Sequence, residues 1–243
     1  MKNYVKTIKK VYSETYPIEK RNSDKLVHLW GFYVTRPLSM LLMPLIIRTG
    51  IGANTATFLS LAIGILALFF GYLGVPIVSA LLYNFFMVFD SIDGNLARLY
   101  GPSKKGELFD AAVGNITNYL FLPCLSLGIQ YNNSVRYCFY EKNIDTIFQM
   151  AVFSSLLLTI SMLIAKDVKL IYNYKIELDK GNKKKWIKIF EYIFRNSFGM
   201  AIAGPFSIFS ILLNVFDLFL IYNLMISFVV LVFSLFSILR KNN

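Results

Sequence analysis

Three aspartates, two glycines and an alanine stand at fixed spacing where two long apolar segments meet, and these side chains are well suited to chemistry. They read Asp90-Ser-Ile-Asp93-Gly94-Asn-Leu-Ala97-Arg98 and, after seven further residues, Gly106-Glu-Leu-Phe-Asp110. On a helix the first two aspartates share a face with Ala97, and Gly106 shares a face of the next helix with Asp110. Acidic side chains within a membrane segment are expensive and indicate function by default. The spacing therefore predicts one site with three carboxylates.

Two or three converging carboxylates suit a hard divalent cation such as Mg²⁺ or Mn²⁺. A cation beside small residues indicates a diphosphate substrate, whose oxygens would complete the coordination, and such clamps stabilise the attacking and leaving oxygens in phosphoryl transfer. Gly94 and Ala97 leave room for a ribose or base against the helix backbone, and Gly106 permits approach from the other side. Arg98, just after the cluster, can pair with phosphate.

The composition is that of a membrane protein. Of the 243 residues, 56% are hydrophobic and 16% are charged, whereas soluble domains are about a quarter charged. The net charge of +11 suits either nucleic acid or an anionic lipid surface. The run Lys183-Lys184-Lys185 stands beside Trp186, so we expect it to rest on lipid headgroups and not on nucleic acid.

The hydrophobic pattern predicts an all-α integral membrane protein in three parts. Residues 1–33 form a basic cytoplasmic N-terminal segment. Residues 34–48 form an interfacial amphipathic helix with Arg36 and Arg48 at the headgroups, because this run is shorter than the roughly 20 residues that a crossing needs. Residues 49–243 form a domain of six transmembrane helices, with spans predicted at 54–74, 76–99, 107–131, 147–170, 197–214 and 216–239.

The fifth and sixth spans belong to one apolar run of about forty residues, which is too long for a single crossing. A polar turn at Asn214-Val-Phe-Asp217 is the predicted break between them. Gly204-Pro205 should kink the fifth span without ending it, because neighbouring helices can satisfy the freed carbonyl.

Basic residues are distributed unevenly along the chain. With the N-terminus in the cytoplasm, the segments 1–53, 98–106, 166–196 and the tail after 239 are all cytoplasmic, and they hold 23 of the 25 Lys and Arg residues. This bias satisfies the positive-inside rule. It places the acidic motif at the cytoplasmic face of the membrane, and the inner membrane of a bacterial cell is the expected location.

The motif from Asp90 to Asp110 resembles the signature of the CDP-alcohol phosphotransferase family, and Asn54-x-x-Thr57 resembles the family's usual start of its first span. The resemblance implies that Asp90, Asp93 and Asp110 hold Mg²⁺ or Mn²⁺. It further implies a nucleotide site lined by Asp90, Gly94, Ala97, Arg98 and Gly106. The implied reaction displaces CMP from a CDP-linked alcohol donor by an acceptor hydroxyl, in phospholipid or related phosphodiester biosynthesis. A homodimer is also expected from the family.

One position departs from the family's pattern. The family has a fourth aspartate four residues after the third, on the same helical face, where this chain has Gly114. That carboxylate is taken as the base that activates the acceptor hydroxyl and as a ligand of the second metal. Losing a general base typically costs about 10²–10⁴-fold in rate, so Gly114 predicts impaired turnover.

Three other interpretations remain open from the sequence. The aspartates could form a buried polar network that braces helices, although only Arg98 stands nearby as a cationic partner. The chain could be a transporter that conducts ions, although transporters usually place their sites at the bilayer midplane on broken helices. It could also be a catalytically inactive homologue that binds CDP and metal, which Gly114 favours.

Overall fold

The computed structural model of the protein describes residues 2–27, 29–132, 144–172 and 200–239. Every regular element in these ranges is helical, as predicted. The predicted headgroup-binding run at 183–185 lies outside the described residues. The helices are α1 (Lys2–Thr15), α2 (Ile18–Val27), α3 (Arg36–Thr49, continuous with a π-helical turn at Gly31–Thr35), α4 (Ala53–Tyr72), α5 (Pro76–Tyr100), α6 (Lys104–Asn132), α7 (Ile144–Tyr172), α8 (Met200–Leu212) and α9 (Phe216–Leu239).

Helices α4, α5 and α6 are long and apolar enough to cross a membrane. They coincide with the first three predicted spans, and the largest difference is that α6 begins at Lys104 instead of 107. Helices α7 and α9 coincide with the fourth and sixth predicted spans and contain the shorter apolar stretches Asp145–Ile160 and Phe216–Val232. The count of six crossings stays a prediction.

The residues around α5 set its boundaries. Gly74 has a φ of 73°, a left-handed conformation that side chains with a Cβ rarely adopt. Pro76 follows in the first helical turn, where its missing N–H is not needed. At the other end Gly101, with a φ of 102°, ends the helix. A short connection then leads into α6, so the two helices that carry the motif are adjacent in the chain and in space.

The predicted break between the last two spans is confirmed. Asn214 has a φ of 56°, and the N–H of Val215 donates to the carbonyl of Ser210 at 2.9 Å. The N–H of Asn214 donates to the carbonyl of Ile211 at 3.2 Å. This is the Schellman arrangement, in which a left-handed residue satisfies the last carbonyls of a helix. Pro205 lies inside α8 without ending it, as predicted.

The chain divides into two compact units, residues 1–134 and 135–243. In the second unit α7 and α8 each pack against α9. In the first unit α5 and α6 both pack against α4, and all the motif residues lie in this unit.

Glycines allow α4 and α6 to pack at close range. A Cβ on Gly64 would lie 2.6 Å from Oγ1 of Thr117. Further along, a Cβ on Gly128 would overlap the carbonyl oxygen of Gly71 and lie 2.7 Å from the backbone nitrogen of Gly74. Small residues at helix interfaces let backbones approach closely, which is how membrane helices gain packing contacts without a hydrophobic driving force.

The basic N-terminal segment is also part of the core. Tyr4, Ile8, Val11 and Thr15 recur at helical spacing along α1, and Val11 and Thr15 are buried. Val11 packs in a cluster with residues of α3, α4 and α5, and the Tyr4 hydroxyl donates to the Leu41 carbonyl. The segment was predicted to lie on the surface because it contains many lysines. The apolar face of α1 was not recognised in that prediction.

The interfacial helix predicted at 34–48 is present as α3. It continues through Pro44, which is buried within it. Met40 and Met43 on the inner face join the same cluster as Val11, whereas Leu38, Leu41 and Leu45 are exposed. A helix with one packed and one exposed apolar face is consistent with a membrane-facing position, which stays a prediction.

We expect Gly128→Ala to lower the free energy of unfolding by about 3 kcal/mol, because its Cβ would meet backbone atoms that cannot rotate away. Gly114→Ala on the same helix is the matched control, since a Cβ there meets only the end of a side chain at 3.7 Å. The control should be neutral or slightly stabilising, because alanine favours helix by about 1 kcal/mol over glycine. Thermal unfolding in detergent measures the stability of both variants. An equal change of stability in Gly128→Ala and Gly114→Ala would contradict the close packing of α4 against α6.

Candidate functional site

The motif occupies the last turns of α5 and the first turns of α6. Ser103 begins α6 as its N-cap, and its Oγ accepts the backbone N–H of Gly106 at 3.0 Å. The cap fixes where α6 starts after the Gly101 turn. As a result Asp110, in the second turn of α6, comes opposite Asp90, which lies nearly three turns before the end of α5.

The three motif aspartates are brought together by this arrangement. The carboxyl groups of Asp90 and Asp110 interact directly across the two helices. Asp93 is close enough to both for their negative charges to act on its carboxyl group. Among the described residues, no group of three Asp, Glu, His or Cys side chains is arranged to hold a metal ion by itself. The aspartates are therefore neighbours, and their role as metal ligands stays a prediction.

Asp93 is the least satisfied of the three. It is 2% exposed, and neither carboxylate oxygen has a hydrogen-bond partner in the part of the chain that the structure describes. Thr57 lies beside it, but the Thr57 hydroxyl donates to the carbonyl of Ala53 at 3.1 Å. A buried carboxylate without a partner is strongly unfavourable. These orphaned oxygens, next to two more carboxylates, fit a hard divalent cation.

The unpartnered oxygens of Asp93 also bear on one alternative interpretation of the sequence, in which the aspartates form a buried polar network that braces helices. A structural polar network is stabilising only when its members satisfy one another. Asp93 satisfies none of its lone pairs through described protein groups, so it does not brace α5 against a neighbour.

Arg98 is directed back along α5 and toward the N-terminal helix. Its Nε donates to the carbonyl of Thr15 at 2.8 Å, and its Nη2 donates to Oδ1 of Asn95 at 2.7 Å. The guanidinium covers Gly94, where an added Cβ would lie 3.5 Å from Nη2. Two of its donors are thus used by the protein itself, and its predicted pairing with phosphate stays a prediction.

Arg36 has a different position from the one predicted at the lipid headgroups. Its Nε lies 3.2 Å from Oδ2 of Asp24, and its side chain is 17% exposed. It is also close enough to Asp90 for its charge to act on that carboxylate. The correction has a simple cause: the buried carboxylate of Asp24 in α2 attracts the guanidinium into the protein. Arg48, at the other end of α3, is exposed.

Sequence reasoning missed Asp24 altogether. The acid stands in a stretch rich in lysine, arginine and serine, where any single acid is expected to face water. Its burial depends on α2 folding back onto α3, and only the apolar face of α1 gives an indication of that fold in the sequence.

The start of α4 completes the site on a third side. A Cβ on Gly106 would lie 2.7 Å from Oδ1 of Asn54, and Thr57, one turn further, lies beside Asp93. The two positions of the Asn54-x-x-Thr57 pattern therefore contact both halves of the acidic motif. Gly94, Ala97 and Gly106 are all half-buried around this point.

Gly114 follows Asp110 on the same face of α6 and leaves space there. A Cβ at this position would meet only Nδ2 of Asn118, at 3.7 Å. Below it, Oδ1 of Asn118 accepts the hydroxyl of Tyr83 at 2.6 Å. The ring of Tyr83 stacks on Phe121 with centroids 3.9 Å apart. This contact closes the interface between α5 and α6 one turn deeper, so a side chain at 114 would point into the space above it.

We expect Asp93→Asn to act in opposite directions with and without metal. In metal-free buffer the variant should be more stable than the native protein by about 1–3 kcal/mol, because it removes a buried carboxyl group that has no hydrogen-bond partner among the described residues. Mn²⁺ at about 100 times its Kd should stabilise the native protein by about 2.7 kcal/mol and the variant hardly at all. Glu14→Gln, at an exposed acid of α1, should change neither value. Equal Mn²⁺ stabilisation of the native and Asp93→Asn proteins would exclude Asp93 as a ligand.

Comparison with known proteins gives one match. Residues 51–139 match the family model described as CDP-alcohol phosphatidyltransferase. No curated protein matches the chain. The matched stretch contains the whole acidic motif together with Asn54, Thr57 and Gly114. The resemblance inferred from the motif is therefore confirmed over residues 51–139: this part of the chain matches the CDP-alcohol phosphatidyltransferase family.

Proposed function

We propose that the protein transfers a phospho-alcohol group from a CDP-linked donor to an acceptor hydroxyl and releases CMP. The family match supports a phosphotransferase role in phospholipid synthesis, and the family's enzymes are transferases of substituted phosphate groups. The observation that carries the proposal is the buried, unpartnered carboxylate of Asp93 next to the interacting pair Asp90 and Asp110. Such a group of carboxyl groups is unfavourable when ionised and unpaired, a divalent cation would neutralise it, and a cation beside small residues suits a diphosphate.

In this proposal Asp90, Asp93 and Asp110 hold Mg²⁺ or Mn²⁺, which when bound neutralises the diphosphate oxygens of the donor. The small, half-buried residues Gly94, Ala97 and Gly106 would line the nucleotide site, with the side chains of Arg98 and Asn54 beside the two glycines. The protein's contribution is mainly to place the donor and to hold groups that neutralise its charge before the reaction begins.

The reaction itself is a substitution at the β-phosphorus. The acceptor oxygen forms a new bond to this phosphorus while the bond to the bridging oxygen breaks, and CMP leaves with that oxygen. The proton of the acceptor hydroxyl needs a base. Gly114 cannot supply one, and Glu107, which stands one turn before Asp110, is exposed. We therefore expect slow transfer in the native protein.

The same glycine favours a second candidate function, that of an inactive homologue that binds CDP and metal without turnover. It keeps the three aspartates and the small residues, and it lacks only the base. The transporter interpretation is weaker, because Asp90 and Asp93 lie on a continuous α5 and not on a broken helix.

Six crossings, a cytoplasmic N-terminus and a location in a bacterial inner membrane remain part of the proposal. They are supported by the apolar helices α4, α5 and α6 and by the distribution of Lys and Arg. The predicted homodimer has no support among the described residues, and membrane lipids and the acceptor are the expected partners.

A CMP-release assay tests the proposed function. Purified protein is incubated with Mn²⁺, CDP-diacylglycerol or another CDP-alcohol, and a panel of acceptors that includes glycerol phosphate, inositol and amino alcohols. Gly114→Asp is expected to raise CMP release by about 10²-fold or more, because it restores a base where the structure has space. Gly114→Asn is the matched control, since it has the same shape without the base, and it should stay at the native rate.

The outcomes of this assay separate the candidates. An inactive homologue that lost its base would be stabilised by CDP and Mn²⁺ without releasing CMP. In that case only the Gly114→Asp variant would release CMP. No CMP from either protein with any donor would reject the transferase proposal. Equal release by the Asp and Asn variants would show that position 114 is not the base site.

The orientation can be tested with two exposed turns of the first unit. In a Cys124→Ser/Cys138→Ser background, Ser103→Cys should react with a membrane-impermeant maleimide only after the cells are permeabilised. Leu73→Cys, in the exposed turn between α4 and α5, should react in intact cells, because the two turns are separated by one crossing. Labelling of both positions from the same side would reject the proposed arrangement of α5.

A further inference from the structure

The charges around the acidic motif come from more of the chain than the motif itself. Among the residues that the structure describes, four carboxylates and two guanidiniums interact in this region: Asp24, Asp90, Asp93, Asp110, Arg36 and Arg98. When all are ionised, four negative and two positive charges leave a net charge of two negative units. One divalent cation would neutralise this net charge. Glu107 is exposed and solvated, so water screens its contribution.

Tyr16 adds no charge to this group. Its side chain is 1% exposed, and it lies between Asp24 and Arg36. Burial, and then the neighbouring carboxylate of Asp24, raise the pKa of Tyr16 well above the ordinary value for a phenol. The phenol therefore stays neutral, and its ring faces the Arg36 guanidinium with 5.6 Å between the guanidinium carbon and the ring centroid.

Arg36 contacts one carboxylate and is close enough to a second for its charge to act on it. On one side its Nε contacts Oδ2 of Asp24 at 3.2 Å. On the other side its charge acts on Asp90. Both arginine and a divalent cation can neutralise a carboxylate, so a guanidinium that moved fully onto Asp90 would compete with the metal for the same oxygens.

Asp24 is positioned to keep Arg36 from competing with a metal ion for Asp90. It is 7% exposed and belongs to α2, outside the matched family stretch of residues 51–139. We propose that Asp24 is a positioning residue that binds Arg36 and balances its charge, so that Asp90 is left for a divalent cation. This inference rests on the proposed function, because it takes the three motif aspartates as metal ligands.

The proposal makes Mn²⁺ affinity depend on two residues in opposite directions. Asp24→Asn frees the charge of Arg36, and Mn²⁺ should bind about tenfold more weakly, as expected for one uncompensated charge at partly buried distances. Arg36→Gln removes the competing cation, and Mn²⁺ should bind more tightly by a similar factor. The double variant should return close to the native affinity. Glu19→Gln is the matched control, because it removes the same charge from an exposed position of the same helix, and it should leave the affinity unchanged.

The readout is the concentration of free Mn²⁺ measured by electron paramagnetic resonance on the purified full chain, without donor or acceptor. Opposite shifts for the two single variants and recovery in the double variant would support the proposal. A purely structural role for the ion pair predicts weaker binding in both single variants, which would overturn it. Native affinity in both single variants would overturn it as well. If the native protein itself binds no Mn²⁺, the metal site of the proposed function is rejected, and this proposal with it.

If Asp24→Asn does not fold, Arg36→Gln still decides the question. A tighter Mn²⁺ affinity in that variant has no explanation in lost packing, because losing a contact to the core does not strengthen a site elsewhere. Weaker or unchanged binding by folded Arg36→Gln protein would contradict the proposal.

Discussion

The buried carboxylate of Asp93 is the constraint on which the rest of the first unit depends. A charge of this kind can persist inside a helical protein only where a counter-charge reaches it. The neighbouring helices add to the need for a counter-charge: α6 brings Asp110 to Asp90, and α4 brings only the neutral Thr57 to Asp93. The structure thus gathers three carboxyl groups at one end of the packed helices, and the proposed site for a cation and a diphosphate is inferred from this arrangement.

The precision of the site follows from packing deeper in the same helices. Gly64 and Gly128 bring α4 and α6 so close that a methyl group would not fit at either position. The Tyr83 hydroxyl joins α5 to Asn118 of α6 one turn below the space at Gly114. Because these contacts are short and specific, the three helices hold one register. The positions of the acidic side chains follow from that register.

The sequence predicted the elements far better than the contacts among charged side chains. Gly74 and Pro76 mark the start of α5, and Asn214 marks the turn before α9, because glycine, proline and asparagine have strong local preferences. The grouping of the acidic motif was also predictable, since helical spacing alone puts its members on facing sides. The partner of Arg36 was not predictable, because Asp24 becomes available only through the folding of α2 onto α3. Local patterns carry no information on such a choice.

The contact between Arg98 and Thr15 has a consequence for how the protein is made. The two residues are 83 positions apart in the chain, and the last carbonyl groups of α1 find this partner only when the end of α5 exists. During synthesis the N-terminal helices emerge long before that point. The contact between Thr15 and Arg98 can therefore form only after α4 and the end of α5 have been synthesised.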